Sequence, residues 1–285
     1  MVNLKKASFS LNCKGTLHHF DHVVLMGILN TTPDSFYDGG RYNQLDLAVE
    51  HTAKMLAEGA HIIDVGGASS KPGAISISTQ VEVDRVVPII ERLRHTFKDL
   101  LISIDTYQSK VAEAALAAGA SIVNDISGGK MDDGMFPLIA KEKCPYVLTH
   151  LLGTPKNMQD QTVYDDVVLD VLKELSEKVA QLEKLGLNDI IIDPGFGFGK
   201  TVEQNYQLLR NLRLFEKALG KPILAGLSRK SMLYKPLRIR PEDSLNATTA
   251  ANILALQNGA RILRVHDVKE AKDAVAIFNL YEKSN

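Results

Sequence analysis

Polar and charged residues recur directly after short apolar runs along the whole chain. These residues are Asn30, Asp64, Asp105, Asn124, His150, Asp193, Ser228, Arg264 and His266. If each apolar run is a strand of a parallel sheet, its carboxyl end is where ligands bind. One such residue carries little information, because it can simply cap a strand or contact solvent. The same transition at the same end of every run indicates a concave polar site.

Four residues at or near these strand ends suit the recognition of a flat heterocycle. Asp105, Asn124, Asp193 and Lys230 offer both acceptors and donors. A buried carboxylate can accept two parallel N–H bonds from an amino-pyrimidinone edge. We therefore predict that this group binds a ring with several N–H and C=O groups.

A second group suits a phosphorylated substrate with a divalent ion. Asn30, Lys71, Arg264 and His266 supply a neutral oxygen ligand and several cations. Mg²⁺ prefers oxygen ligands and commonly takes only a few from the protein, with phosphate and water completing its shell. No Ser-His-Asp or Cys-His nucleophile stands out, and no His, Cys and Asp cluster has zinc-like spacing.

Residues 190–200 (IIIDPGFGFGK) form the most informative single stretch. Three isoleucines are typical of a strand buried on both faces, and Asp193 ends that run before a glycine-rich loop. A Walker A loop would need glycine in place of Pro194, and a dinucleotide-binding loop would need glycine in place of Lys200. The glycines alone are therefore also compatible with a strand-to-helix turn that binds nothing.

The elements that must position these residues alternate regularly. A β-hairpin is predicted over residues 8–20, followed by apolar strands at 23–30, 61–64, 101–105, 121–125, 145–150, 190–193, 222–226 and 261–265. Helical patterns lie at 45–58, 80–97, 108–118, 133–142, 164–185, 204–219, 242–257 and 268–281. Strands that alternate with helices predict a parallel sheet. Eight units in one domain of this length favour an α/β fold with a single closed (β/α)₈ TIM barrel over a doubly wound open sheet.

Bulk properties exclude several other classes of protein. The chain has 285 residues, 45% hydrophobic residues and a net charge of −1, which gives no reason to expect nucleic acid or an anionic membrane as a partner. Cys13 and Cys144 form no disulfide framework. No apolar run approaches membrane-spanning length, and no signal peptide is recognised. We expect a cytoplasmic protein with an N-terminal hairpin extension at 1–22 and one barrel domain at 23–285.

Seven groups of motifs together resemble dihydropteroate synthases, the folate-pathway enzymes. They are residues 26–30 (MGILN) with 32–36 (TPDSF) and 38–40 (DGG), 64–73 (DVGGASSKPG), 103–106 (SIDT), 124–125 (ND) with 128–129 (GG), 193–200 (DPGFGFGK) with Asn205, 228–231 (SRKS), and 264–267 (RVHD). Each motif is weak alone, but their order and spacing are specific. The resemblance extends from about residue 23 to 268.

This resemblance implies a reaction and a set of roles. Such enzymes join 6-hydroxymethyl-7,8-dihydropterin pyrophosphate to p-aminobenzoate, releasing 7,8-dihydropteroate and pyrophosphate. By position, the resemblance implies that the pterin is bound by Asp105, Asn124, Asp193, Lys230 and Arg264. The residues implied to hold pyrophosphate and support catalysis are Asn30, Lys71, Arg264 and His266. The residues implied for the p-aminobenzoate pocket are Phe36, Ser70, Pro72 and Ser231. Mg²⁺ is implied near Asn30, and the family is usually homodimeric.

Three positions depart from the usual pattern of that family. Lys71 stands where arginine is usual, so the charge is kept but the bidentate fork is lost. Thr149 replaces a methionine before His150, and Thr31 replaces an apolar residue. Two other functions remain open, namely a pterin-dependent methyltransferase domain and a pterin-binding protein without catalysis. The methyltransferases lack motifs like SRKS and RVH, and the chain carries no companion corrinoid domain.

Overall fold

Eight parallel strands close into a barrel in a computed structural model, which describes residues 8–31, 41–68, 77–154, 156–158 and 162–284, without the side chains of 41–43. The barrel strands are β3 (Val24–Asn30), β4 (Ile62–Gly66), β5 (Leu101–Asp105), β6 (Ile122–Asp125), β7 (Tyr146–Thr149), β8 (Ile190–Asp193), β9 (Ile223–Ala225) and β10 (Ala260–Val265). Each strand pairs with its neighbours in sequence, and β10 returns to β3. The predicted TIM barrel is confirmed.

Helices follow the strands around the outside of the barrel. They are α1 (Arg41–Glu58), α2 (Thr79–Thr96), α3 (Ser109–Ala118), α4 (Met135–Glu142), α5 (Val167–Lys184), α6 (Val202–Arg210), α7 (Leu212–Leu219), α8 (Ser231–Leu237), α9 (Leu245–Gln257) and α10 (Val268–Lys283). Several begin with a side-chain cap. Asp166 accepts the N–H groups of Val168 and Leu169 at the start of α5, which is why this helix begins later than predicted.

Alternation along the strands divides the apolar side chains between two clusters. Tyr146 and Leu148 of β7 belong to the large cluster between sheet and helices, whereas Val147 belongs to a smaller cluster inside the barrel. Side chains two residues apart in a strand face the same side, so Thr149 faces the interior as Val147 does. In β8, Asp193 lies two residues after Ile191, which belongs to the interior cluster, so Asp193 also points inward. Polar residues at the strand ends are thus aimed into the barrel mouth.

The N-terminal hairpin packs against the opposite end of the barrel interior. Strands β1 (Phe9–Cys13) and β2 (Thr16–Phe20) pair antiparallel, which confirms the predicted hairpin. Leu11, Cys13 and Phe20 share one buried cluster with residues at the beginnings of the barrel strands, such as Ile62 and Ile191. The hairpin therefore closes the amino-terminal end of the barrel with apolar side chains.

The helices also differ from the sequence prediction in the second half of the chain. The helix predicted over 204–219 is broken at Asn211, whose side-chain amide donates to Gln207 O at 2.8 Å and so competes with a continuous helix. The helix predicted from residue 242 begins at Leu245, because Pro241–Asp243 form a 3₁₀ turn. The short α8 was not predicted, since seven residues are too few to show a clear helical period.

Leu11→Ala should destabilise the whole barrel, because Leu11 is 1% exposed within the interior cluster. Truncating a buried leucine costs about 2–5 kcal/mol. Urea unfolding followed by circular dichroism measures the loss. Leu17→Ala on the same hairpin is the control, because Leu17 is 69% exposed. Equal unfolding midpoints for the two variants would show that the hairpin does not stabilise the barrel.

Candidate active site

Strand register brings several of the predicted residues to one mouth of the barrel. Asn30 is paired with Gly66, Gly66 with Asp105, and Asp105 with Asn124. A Cβ atom added to Gly66 would lie 3.6 Å from Asn30 Oδ1 and 3.6 Å from Asp105 Cβ. The missing side chain thus leaves room between Asn30 and Asp105. On the far side, Thr149 is paired with Asp193.

An arginine joins the carboxylates in this mouth. Arg264 Nε donates to Asp64 Oδ2 at 2.6 Å, and Nη2 donates to Asp105. Asn124 Nδ2 donates to the same Asp64 oxygen at 2.9 Å. Burial opposes the guanidinium charge, but Asp64 and Asp105 raise the pKa of Arg264 above its ordinary value. Arg264 therefore pairs with two carboxylates from two other strands.

Asp64 is the main contact that the sequence-based roles left out. It is 0% exposed and binds both Arg264 and Asn124. The sequence placed it at a strand end but gave no reason to separate a ligand-binding carboxylate from one that holds other side chains. The signal available was its position in the apolar run HIID, which predicts complete burial.

Asp105 and Asp193 are carboxylates with unusual acidity. Burial raises the pKa of Asp105 to about 7, against the opposing charge of Arg264. Burial also raises the pKa of Asp193, and the charge of Lys230 and the N–H of Gly195 act in the opposite direction. Gly195 N–H donates to Asp193 Oδ1 at 2.8 Å, which fixes one carboxylate oxygen. A ligand with N–H groups would favour the ionised form of both.

Lys230 connects the loop after β8 with the beginning of α8. Its Nζ lies 4.3 Å from the centroid of the Phe198 ring and donates to the carbonyl of Phe196. Burial lowers the pKa of Lys230 to about 8, although Asp193 acts to raise it. Ser231 follows as the first residue of α8 and is partly exposed. An ammonium on an aromatic face beside a carboxylate suits a polar ring edge.

The loops after β9 and β10 are joined by two side-chain contacts. Ser228 Oγ lies 2.9 Å from His266 Nδ1. Arg229 makes two hydrogen bonds to Asp267, at 3.1 Å from Nε and 2.6 Å from Nη2. These contacts fix the orientation of the exposed His266 ring at the rim of the mouth. The ring is therefore placed where a charged group outside the barrel interior could bind.

His150 is the exception among the strand-end residues. It is 2% exposed, and its ring lies 3.0 Å from Lys200 Nζ and 3.4 Å from Glu174 Oε2. The expectation that it lines the concave site is wrong, because β7 ends at Thr149 and the parity of the strand directs His150 away from the barrel interior.

Four predicted residues lie outside the part of the chain that the structure describes, namely Phe36, Ser70, Lys71 and Pro72. Of the two other departures from the family pattern, Thr31 donates its hydroxyl to Gly66 O at 3.1 Å. Thr149 is 1% exposed, and its hydroxyl has no hydrogen-bond partner among the described residues. Both positions therefore keep a polar group close to the barrel mouth.

Asn30 is compatible with a metal bound chiefly by a substrate. Across residues 8–31, 41–68, 77–154, 156–158 and 162–284, no group of three or more His, Cys, Asp and Glu could hold a metal ion. The exposed amide of Asn30 offers one neutral oxygen, beside the space at Gly66. Such a site fits Mg²⁺ only if phosphate oxygens and water complete the shell.

The same described residues contain no helix that is long and apolar enough to cross a membrane.

Comparisons with known proteins agree over almost the full length. Residues 26–266 match the family described as pterin binding enzyme. Over 269 residues the chain is 41% identical to dihydropteroate synthase of Escherichia coli (strain K12), covering 94% of each protein.

Solved structures give the same result. Dihydropteroate synthase of Xanthomonas albilineans with 4-aminobenzoic acid superposes with a TM-score of 0.89 at 40% identity, covering 97% of this chain and 99% of that one. The enzyme of the same organism in complex with 7,8-dihydropteroate gives a TM-score of 0.84 at 37% identity, covering 96% and 98%. Since these matches span the barrel and its mouth, the protein belongs to the dihydropteroate synthase family of pterin-binding enzymes.

Proposed function

We propose that this protein is a transferase that condenses 6-hydroxymethyl-7,8-dihydropterin pyrophosphate with p-aminobenzoate to form 7,8-dihydropteroate and pyrophosphate in folate biosynthesis. The observation that carries the proposal is a set of acceptors in one barrel mouth beside Lys230, namely the buried Asn124 and Asp193 and the half-buried Asp105. Solved relatives with 4-aminobenzoic acid and with 7,8-dihydropteroate support the two substrate classes. A turnover assay separates this function from that of a pterin-binding protein without catalysis.

The pterin ring is proposed to bind at the buried carboxylates. Asp193 uses Oδ1 for Gly195 N–H, so its second oxygen can accept an N–H from the ring. Asp105 and Asn124 lie side by side on neighbouring strands and supply further acceptors and donors. Arg264, which holds Asp105 without ligand, would stack on the ring face after that contact is exchanged. Burial removes competing water from each of these bonds.

The reaction proposed is dissociative, so it needs no protein nucleophile. Pyrophosphate leaves first, and the electron-rich dihydropterin delocalises the positive charge before the arylamine attacks. Both cysteines fit this scheme, because burial raises the pKa of Cys13 and of Cys144 to about 12 and keeps the thiols protonated. A protonated, buried thiol is a poor nucleophile.

Charge on the departing pyrophosphate is balanced at the rim of the mouth. Arg264 and His266 are proposed to bind phosphate oxygens there, together with Lys71. Asn30 would hold Mg²⁺, which when bound supplies positive charge to the leaving group. The p-aminobenzoate pocket is proposed to include Ser231 at the start of α8, with Phe36, Ser70 and Pro72.

A homodimer is proposed from an apolar face on the last helix. Ile277, Leu280 and Tyr281 are 64%, 65% and 57% exposed, and their spacing places them on one face of α10. Leu254, on the neighbouring helix α9, is 44% exposed. Exposed apolar residues that are grouped rather than scattered mark protein interfaces. The cytoplasmic location stays a prediction.

Asp193→Ala should weaken pterin binding more than it lowers the free energy of unfolding, because a buried acceptor at the strand end is lost. Loss of one charge-assisted hydrogen bond is worth ~1.5–3 kcal/mol, or about 10- to 100-fold in affinity. Calorimetry with the pyrophosphorylated dihydropterin measures this, and turnover should fall in parallel. Asp189→Ala is the control, because Asp189 precedes the same strand at its other end and binds Asn12 N–H. Near-normal pterin affinity in folded Asp193→Ala would refute the assignment of this carboxylate.

Ile277→Glu should convert the dimer to monomer, since it places a charge in the centre of the proposed apolar interface. Light scattering coupled to size-exclusion chromatography gives the mass directly. Leu17→Glu serves as the control, because Leu17 is similarly exposed but lies on the hairpin. A monomeric parent protein, or an Ile277→Glu variant that stays dimeric, would remove α10 from the interface.

A further inference from the structure

The glycine loop, residues 194–199, lies between the ring-binding Asp193 and Lys200. Gly195, Gly197 and Gly199 have positive φ angles of 76°, 79° and 66°. A Cβ atom at Gly195 would overlap the carbonyl oxygen of His150, so the loop backbone packs directly on the residue that follows β7. A loop folded this tightly turns its own carbonyl groups inward, and buried carbonyl groups need hydrogen-bond donors.

Lys200 supplies those donors from beneath the loop. Its Nζ donates to Gly195 O at 2.8 Å and to Phe198 O at 2.9 Å, and it lies 3.0 Å from His150 Nδ1. An ammonium has three N–H donors, so all three are used. Because these donors are used within the protein, Lys200 acts on the loop rather than on a bound molecule.

His150 links this lysine to helix α5. Because Nδ1 accepts from Lys200, the ring proton lies on Nε2, which is 3.4 Å from Glu174 Oε2. Burial and the charge of Lys200 lower the pKa of His150 to about 4, so the ring is neutral near pH 7. Glu174 is in turn bound by Lys130 at 2.8 Å and by Lys178 at 3.0 Å. The glycine loop is thereby anchored to an element outside the barrel.

The same loop determines how two ring-binding groups are presented. Gly195 N–H fixes Asp193 Oδ1 at 2.8 Å. Phe198 lies 4.3 Å beneath Lys230 Nζ, and the carbonyl of Phe196 accepts from that ammonium. The carbonyl groups held by Lys200 belong to Gly195 and Phe198, so these two bonds restrain residues that contact Asp193 or Lys230.

We propose that Lys200 is a positioning residue that holds the glycine loop so that Asp193 and Lys230 face the pterin ring. The proposal rests on the proposed function of this site and deepens it. Lys200 does not contact substrate. Its loss should therefore affect the docking of the pterin before it affects the arylamine, whose proposed pocket lies at α8 and the early loops.

Charge gives the proposal a second consequence. Burial lowers the pKa of Lys200 to about 7. Burial also raises the pKa of Asp193, and the charge of Lys200 acts to lower it. The charged or titratable groups around Lys200 are Asp193 at the end of β8, His150 after β7, Glu174 of α5, Lys130 after β6 and Lys230 before α8. Removing the ammonium should raise the pKa of Asp193 further. As the pH falls, the pterin affinity of the variant should therefore begin to decrease at a higher pH than that of the parent protein. We call this decrease at low pH the acidic limb of pterin binding.

Lys200→Met tests the proposal, since it keeps the length of the side chain and removes its donors and charge. The KM for the pyrophosphorylated dihydropterin should rise by about 10- to 100-fold, the range of one lost charge-assisted bond. The KM for p-aminobenzoate should stay within about threefold. Calorimetric titration of the dihydropterin from pH 5 to 8 should show the acidic limb displaced upward.

Lys178→Met is the matched control. Like Lys200→Met, it removes a buried ammonium, here one that lies 3.0 Å from Glu174 Oε1. Among the described residues, no hydrogen bond joins Lys178 to the glycine loop. Its stability should fall while the pterin KM and pH profile stay near those of the parent. A normal pterin KM in Lys200→Met, or an equal rise in Lys178→Met, would overturn the proposal.

Lys200→Gln covers the case in which Lys200→Met does not fold. Its amide keeps two donors without the charge, so the pterin KM should rise in the same selective way but less. A parental KM and pH profile in Lys200→Gln would also overturn the proposal. Failure of the parent protein itself to bind the dihydropterin would instead refute the proposed function, and the role of Lys200 with it.

Discussion

The ion pairs between Arg264 and the carboxylates Asp64 and Asp105 hold the barrel mouth together. Three strands contribute these groups, and Asp64 has no exposed surface. A buried carboxylate is costly unless it is paired and hydrogen-bonded. Without ligand, Arg264 and the amide of Asn124 both donate to Oδ2 of Asp64, whereas its Oδ1 has no hydrogen-bond partner among the described residues. Loss of the Arg264 guanidinium would leave the charge of Asp64 unpaired in the barrel interior.

This arrangement also explains how the mouth can favour a ring over water. Asp105 keeps a raised pKa of about 7 even with Arg264 beside it, and Lys230 keeps a lowered one of about 8. Both groups are therefore only weakly stabilised in their charged forms by the protein alone. A flat ligand with N–H donors and a carbonyl acceptor completes their hydrogen bonds and favours those charged forms. The pterin ring has these groups on its edge.

The sequence predicted the closed barrel and the inward position of Asp105, Asn124 and Asp193, because strand periodicity and the polar residue at each strand end depend on local pattern. It did not predict the direction of His150, which depends on where β7 ends. The role of Lys200 was also missed. Its three acceptors come from a folded loop and a neighbouring strand end, and no spacing in the chain encodes that contact.

The most direct test of this account is the pH dependence of binding of 6-hydroxymethyl-7,8-dihydropterin, the alcohol that carries no titrating phosphate, measured by calorimetry from pH 5 to 8. Burial raises the pKa of Asp105 to about 7 in the free protein, and a ring N–H lowers it in the complex. Binding should therefore be strongest above about pH 7 and should weaken as the pH falls below it. A dissociation constant that does not change across this range, or the absence of binding, would contradict the central role given to the buried carboxylates.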